Sequence, residues 1–253
     1  MTLDGATFLV QWAVGGLAGC WVTTRRREVG IGYGWLLRGI YALLATGGVV
    51  IMAARGVSGS ARTVAFVASI SVALAALGAL AGSIRRRTVD AFDPRLDLLA
   101  PAAGIVALSA ASIFAGGPVV LAAARLFVGA AFLGAVSDAM LLGHWYLVQP
   151  GLGRGPLREL VRWNAWLWPA EVVVMLWPTG MVSVLNGGID DGYNGLLGWV
   201  WVACALTTIA LVGVTWLALR ERYYSAVMSA TGLLYLAILT AFGTDLIARA
   251  ALA

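Results

Sequence analysis

The chain has 253 residues, of which 61% are hydrophobic and 11% charged, with a formal net charge of +5 and a mean hydropathy of +0.89. Soluble domains carry about 25% charged residues, so this composition excludes an ordinary soluble enzyme and predicts an all-α, polytopic membrane helix bundle. Every basic residue is an arginine, and without a lysine to form a Schiff base the chain is not a retinal-binding pump.

Apolar stretches long enough to cross a hydrocarbon core of about 30 Å recur along the whole chain. Eight spans are predicted, at residues 6–23, 31–54, 63–84, 98–115, 118–148, 160–184, 195–219 and 224–248. The fifth is long for one crossing, so we expect it to tilt or to project from the membrane. The whole chain, 1–253, is predicted to be a single integral membrane domain.

The loops alternate in charge. Arginines concentrate in the loops after spans 1, 3, 5 and 7, as in "TTRRREVG" and "RRRTVDAFDPRLD", whereas the loop "NGGIDDGYNG" after span 6 is acidic. The positive-inside rule then places the odd-numbered loops in the cytoplasm and both termini outside. The arginines are therefore expected to set topology and not to bind nucleic acid. The use of arginine in place of lysine suggests a GC-rich genome. We expect the protein to lie in the plasma membrane of a bacterium with such a genome.

Small residues recur at the spacing that lets two helices approach closely. The Gly-x-x-x-Gly pairs are Gly15/Gly19, Gly30/Gly34 and Gly78/Gly82. Such faces associate by van der Waals packing in lipid. Ordinary packing within the chain is the simpler interpretation, and an oligomer face is the alternative. Cys20 and Cys204 both fall within apolar spans and are expected to be buried free thiols.

Ionisable groups inside a span cost about 2.5–3.5 kcal/mol each on insertion scales, so they usually face a bundle interior or a cavity. Asp138 in span 5 and Glu171 in span 6 lie at similar depth near the midplane, because the two spans form a short-looped hairpin. The two carboxyls are predicted to relay protons. The alternative is that they pair with Arg38 or Arg125 and lock the helices together.

Two further combinations of polar residues are not expected to carry chemistry. Asp245 and Arg249 are spaced i,i+4 at the outer end of the last span, which predicts an ion pair on the surface. Asp138 and His144 are about 120° apart around their helix, so they are not expected to touch. This excludes a Ser–His–Asp hydrolase triad drawn from span 5.

A ligand pocket is predicted on the cytoplasmic side, between spans 2, 5 and 6. His144, the only histidine, lies level with Asn164, and Pro169 can kink span 6 beside Trp168. Such a lining suits a flat, largely apolar ligand with a few polar atoms. The predicted cofactor-binding residues are His144, Trp145, Arg38, Asn164 and Trp168. A structural role for His144 near its helix end is the alternative.

These residues support three functions. The first is an integral membrane component of a redox or respiratory system that binds a quinone, or a haem with His144 as axial ligand; no other metal site is predicted. Such a chain would act as a subunit with other membrane subunits and not as a self-contained enzyme. The second is a transporter of a proton-coupled or apolar solute that uses the midplane carboxylates. The third is a non-catalytic scaffold or assembly subunit of a larger membrane complex.

Overall fold

The computed structural model describes residues 4–178 and 180–252. This part of the chain is all-helical: helix accounts for 80%, and no strand occurs in it. The helices are α1 (Gly5–Thr24), α2 (Ile31–Arg55), α3 (Ser60–Arg86), α4 (Leu99–Phe114), α5 (Val119–Trp145), α6 (Gly155–Leu176), α7 (Met181–Leu185), α8 (Leu196–Ala218) and α9 (Tyr224–Ala251). A short 3₁₀ segment, Pro94–Leu98, leads directly into α4.

Seven helices in the described ranges are long and apolar enough to cross a membrane, namely α1 to α5, α8 and α9, with the 3₁₀ segment extending α4. Their bounds follow the predicted spans to within a few residues. Helix α5 has 27 residues. At 1.5 Å per residue it is about 40 Å long, longer than a hydrocarbon core, as its sequence predicts.

Helix α6 departs from the predicted span 160–184. It begins at Gly155, with Pro156 in its first turn, where the missing proline N–H is not needed. It ends at Leu176 because Trp177 has an extended backbone, with φ −128° and ψ 152°, as the residue before a proline commonly does. The chain then enters the short helix α7. Residue 179, which the predicted span contains, lies outside the described residues.

The chain divides into two compact units. The N-terminal unit contains residues 4–134 and 151–153. Within it α1 contacts α2, α2 contacts α3, α3 contacts α4, and α4 returns to contact α1, so the four helices form a closed bundle. Helix α5 begins in this unit and ends in the other, and its first half supplies a fifth helix to the packing of α1.

Two glycines bring α1 and α5 to backbone contact. A Cβ added at Gly15 would lie 1.7 Å from the carbonyl oxygen of Ala130, and one added at Gly134 would lie 2.2 Å from the carbonyl carbon of Gly15. No side chain fits there, so Gly15 serves packing inside the chain. By contrast, a Cβ at Gly78 would meet nothing within 4 Å among the described residues.

The C-terminal unit contains residues 135–150 and the described residues from Arg154 onward. Helices α8 and α9 pack along each other, and α6 and α7 contact α8. An apolar cluster fills the end of the unit that includes α7, with Met175, Met181, Val184, Trp201 and Ala248 buried. At the turn between α8 and α9, Arg154 and Arg158 donate hydrogen bonds to the backbone carbonyls of Leu219, Glu221, Arg222 and Tyr223.

Asp191, in the loop before α8, caps that helix. Its Oδ1 accepts the N–H groups of Tyr193 and Gly195 at 2.9 and 2.8 Å, and its Oδ2 accepts that of Leu197 at 2.9 Å. Desolvation raises the pKa of the Asp191 carboxyl, but these backbone donors and that of Gly198 outweigh it and hold the pKa below its ordinary value of 3.8. The acidic loop is therefore ordered by its hydrogen bonds to the first turn of α8.

Candidate functional site

His144, in the last turn of α5, contacts Tyr235 of α9. The imidazole Nδ1 lies 3.2 Å from the tyrosine hydroxyl oxygen, and the two rings meet edge to face with centroids 6.4 Å apart at 88°. Both side chains are exposed, Tyr235 by 44%, and so are the apolar side chains of Leu147 and Leu239 near them in sequence. A polar pair therefore stands on an otherwise apolar face of candidate membrane helices.

The approach of α5 to α9 depends on Gly143. A Cβ at this position would lie 2.7 Å from the Thr231 hydroxyl oxygen and 3.2 Å from the Thr231 Cβ, so a side chain would push the two helices apart. Thr231 is one turn before Tyr235 on α9, and helix side chains lean toward the N-terminus of their own helix. The Tyr235 ring consequently reaches back toward His144, which follows Gly143 in the chain.

Asn164 is fully buried and ties α6 to α5. Its Nδ2 donates to the carbonyl oxygens of Ala135 and Leu160, each at 3.1 Å. Its Oδ1 is buried and has no hydrogen-bond partner among the described residues. The side chain therefore acts as a link between helices, and one buried acceptor is left over.

The two tryptophans predicted to line the pocket also make specific bonds. Trp145 Nε1 donates to the side-chain oxygen of Gln149 at 3.1 Å, which closes the turn after α5. Trp168 Nε1 donates to the backbone carbonyl of Ala205 at 2.9 Å, which fastens α6 to α8. Buried or half-buried tryptophans usually find such partners. Trp168 thus has a positioning contact of its own.

Arg38 lies in the N-terminal unit, where it forms a buried ion pair with Asp97 of the 3₁₀ segment. The pair is bidentate, with Nε to Oδ1 and Nη2 to Oδ2 both at 2.7 Å, and the two residues are each 1% exposed. The guanidinium carbon lies 4.3 Å above the ring of Phe92. Thr24 donates a further hydrogen bond to Asp97 at 3.3 Å. Arg38 therefore has a buried carboxylate partner that the sequence pattern did not indicate.

Glu171 is fully buried on α6 and interacts electrostatically with Arg249 of α9. Arg249 in turn holds Asp245 through two bonds, of 2.7 and 3.0 Å. The predicted i,i+4 ion pair between Asp245 and Arg249 is confirmed, but its predicted surface position is wrong, since the two residues are 0% and 3% exposed. The C-terminal end of α9 is covered because Ala248 shares one buried apolar cluster with Met175 of α6 and Met181 of α7. Glu171 places a second carboxyl group near Arg249.

Asp138, the other predicted relay carboxyl, is fully buried on α5, and Arg125 is 5% exposed on the same helix. His144 is exposed, so Asp138 and His144 leave α5 on different faces, as their spacing predicts. Of the predicted site residues, His144, Trp145, Asn164, Trp168, Asp138 and Glu171 belong to the C-terminal unit, and Arg38 to the N-terminal one.

The sequence analysis missed three partners of the predicted site residues: Tyr235 beside His144, Arg249 beside Glu171 and, in the N-terminal unit, Asp97 beside Arg38. The sequence does give one indication of Tyr235. Tyrosines favour membrane interfaces, whereas Tyr235 lies about 16 Å from the start of α9 and so well inside the span. Asp97 resembled an ordinary loop residue next to a cluster of arginines. No protein-family model, curated protein or solved structure matches the chain.

Proposed function

We propose that this protein is a membrane component of a redox system and that it binds a quinone at the exposed pair of His144 and Tyr235. The observation that carries the proposal is the 3.2 Å contact between Nδ1 and the tyrosine hydroxyl on an apolar, exposed face. A quinone is flat and apolar, dissolves in the hydrocarbon core, and presents carbonyl oxygens that accept hydrogen bonds. It is therefore a ligand of the kind that such a face can recruit from the bilayer.

The tautomer of His144 decides what the pair can bind. If the Tyr235 hydroxyl donates to Nδ1, the ring proton lies on Nε2, and this N–H can donate to a ligand carbonyl. The reverse tautomer, with Nδ1–H donating to the tyrosine, leaves Nε2 as an acceptor that could ligate a haem iron. A quinone would supply electron-carrying chemistry, and the protein would orient it and hold the Nε2 proton. Relay of that proton by Asp138 and Glu171 stays part of the proposal.

The proposal includes eight membrane crossings, with both termini outside, in the plasma membrane of a bacterium and in association with other membrane subunits. Helix α6 has 22 residues, or about 33 Å, which is long enough to cross. Its ionisable residue Glu171 and its Asn164 are buried. Beyond Arg162 its exposed side chains are apolar: Trp163, Ala165, Trp166, Pro169 and Val173. Helix α6 thus turns an apolar surface outward despite its low overall hydropathy.

The test is extraction of bound quinone from protein purified in mild detergent, with mass analysis and an absorption spectrum. We expect near-stoichiometric quinone in the wild type and about tenfold less in His144→Ala, since one lost hydrogen bond and its packing are worth about 1.4 kcal/mol. Tyr235→Phe should also lose quinone, because without the tyrosine hydroxyl the hydrogen bond at Nδ1 that keeps the His144 proton on Nε2 is lost. Tyr223→Phe, which changes an exposed tyrosine just before α9, is the matched control and should retain it.

Two results would contradict this assignment. One is a wild-type protein that carries no quinone and, when quinone is added back, binds it equally well with alanine at position 144. The other is a Soret band that depends on His144, which would replace the quinone by a haem.

The buried ionisable residues Glu171, Arg249 and Asp245 favour a second candidate, proton-coupled transport. Ionisable groups inside membrane helices are costly and commonly mark proton or substrate pathways. In liposomes with an internal pH-sensitive dye and an imposed membrane potential, this function predicts proton entry that Glu171→Gln lowers to below about a tenth. Glu159→Gln, on the first turns of the same helix, should leave it unchanged. A wild-type protein that moves no protons would rule the candidate out.

A further inference from the structure

An open polar pocket of about 610 Å³ lies in the N-terminal unit, where the ends of α1 and α3 meet the segment before α4. Four arginines contribute to its lining: Arg25, Arg27, Arg86 and Arg95. Two carboxylates, Asp90 and Asp93, also line it. Since α1 and α3 are candidate membrane spans, the pocket opens at the level where a bilayer exposes its headgroups.

The two carboxylates are committed to the protein itself. Asp93 Oδ1 accepts the backbone N–H of Arg95 at 3.0 Å and so begins the 3₁₀ segment. Asp90 lies 3.6 Å from Arg27 in an exposed ion pair, which contributes little to stability. The lining keeps an excess of two positive charges, and an anion is the ligand that its charge fits.

Two of the four arginines, Arg86 and Arg25, are held in place by neighbouring groups. Arg86 Nη1 donates to the carbonyl of Ala91 at 3.1 Å, which fixes its guanidinium at the rim of the pocket. The guanidinium carbon of Arg25 lies 5.1 Å from the ring centroid of Trp21. Stacking on an aromatic face leaves the N–H groups, which lie in the guanidinium plane, directed past the edge of the ring. Planar guanidinium groups bind phosphate oxygens in pairs.

Setting topology and neutralising helix C-termini would explain arginines at these loops without a ligand. The C-terminal unit contains arginines in that structural role: Arg154 and Arg158 donate hydrogen bonds to backbone carbonyls of the α8–α9 turn. In the N-terminal unit Arg86 also donates to a backbone carbonyl, that of Ala91, but it does so at the rim of an open pocket that three further arginines and Trp21 line. That difference in geometry favours a bound ligand.

We propose that this pocket binds the phosphate of an anionic phospholipid headgroup, with Arg86 and Arg95 as its principal ligands. Basic pockets at the ends of membrane helices bind such headgroups. The bilayer supplies the lipid at high local concentration, and the open side of the pocket would let the acyl chains remain along the apolar surfaces of α1 and α3. A soluble phosphate compound shares the same chemistry and is the other source that the experiment must separate.

The experiment is native mass spectrometry of the full chain released from detergent containing phosphatidylglycerol or phosphatidylcholine. We expect the wild type to retain phosphatidylglycerol in preference to phosphatidylcholine. The double variant Arg86→Gln/Arg95→Gln should retain at least about tenfold less phosphatidylglycerol than the wild type. The control is Arg85→Gln/Arg87→Gln, which removes the same charge from exposed neighbours outside the pocket. It should change retention by less than about twofold. If the double variant does not fold, Arg95→Gln alone is measured in its place, because it leaves the hydrogen bond from Arg86 to Ala91 intact.

Each of the other outcomes overturns the proposal. Equal losses in the two double variants would mean that lipid senses only net charge. Equal retention of both lipids by the wild type would mean that the pocket does not select an anionic headgroup. Displacement of phosphatidylglycerol by millimolar inorganic phosphate, with the phosphate bound in its place in an Arg86-dependent manner, would assign the pocket to a soluble phosphate compound.

Discussion

The substitution Asp97→Asn should lower the free energy of unfolding by about 3–5 kcal/mol, because it leaves the buried guanidinium of Arg38 without its counter-charge. Arg38 and Asp97 exchange two bonds of 2.7 Å in a region where both are 1% exposed. The amide that replaces the carboxylate can accept only one of these bonds. The measurement is unfolding in mixed micelles with a rising fraction of SDS, followed by tryptophan fluorescence.

Asp90→Asn is the matched control for that prediction. Asp90 pairs with Arg27 at 3.6 Å, but the two side chains are 91% and 44% exposed. Its loss should cost less than about 1 kcal/mol. Replacing both buried partners by apolar residues, as in Arg38→Met/Asp97→Leu, should recover part of the stability lost in Asp97→Asn. Equal losses in Asp97→Asn and Asp90→Asn would show that burial of the pair is not what stabilises the N-terminal unit.

The substitution Gly15→Ala should cost about 3 kcal/mol or more, because the new methyl carbon would lie 1.7 Å from the carbonyl oxygen of Ala130. The clashing atom belongs to the backbone of a helix, so no change of rotamer relieves the overlap, and α1 and α5 must separate. The expected result is an early transition in SDS unfolding and a broader elution profile in mild detergent.

Gly78→Ala provides the control for this prediction, since its methyl group would enter open space on α3. The higher helix propensity of alanine predicts no loss and a gain of up to about 1 kcal/mol. Gly134→Ala, whose Cβ would lie 2.2 Å from the Gly15 backbone, should reproduce the Gly15→Ala defect. A Gly15→Ala protein that unfolds like Gly78→Ala would refute the close crossing of α1 and α5.

Hydropathy and length are enough to predict most helices of this chain, because a membrane span must satisfy all its backbone groups internally and be apolar over about 20 residues. Helix α2 illustrates this, with Ile31–Arg55 observed and 31–54 predicted. Helix α6 is where this reasoning weakens. Pro178 determines where this helix ends, and its surface is apolar because Glu171 is buried. A hydropathy average over a window of sequence detects neither effect.

The candidate site is less accessible to sequence reasoning because its contacts join distant residues. The spacing of Asp245 and Arg249 predicts their pairing, since both lie on one helix, but not their burial, which depends on packing against other helices. Arg38 and Asp97 are 59 residues apart, and nothing local connects them. His144 is conspicuous as the only histidine, whereas its partner Tyr235 becomes identifiable only when α9 is placed beside α5.

The crossing of Gly15 with Ala130 and Gly134 also sets an order of events during biosynthesis. Helix α1 leaves the ribosome before α5, and the backbone against which Gly15 packs is synthesised more than a hundred residues later. Until α5 has entered the membrane, the face of α1 around Gly15 lacks the partner against which it packs in the folded protein. The N-terminal unit therefore cannot mature helix by helix, and its final packing step must wait for the middle of the chain to be translated.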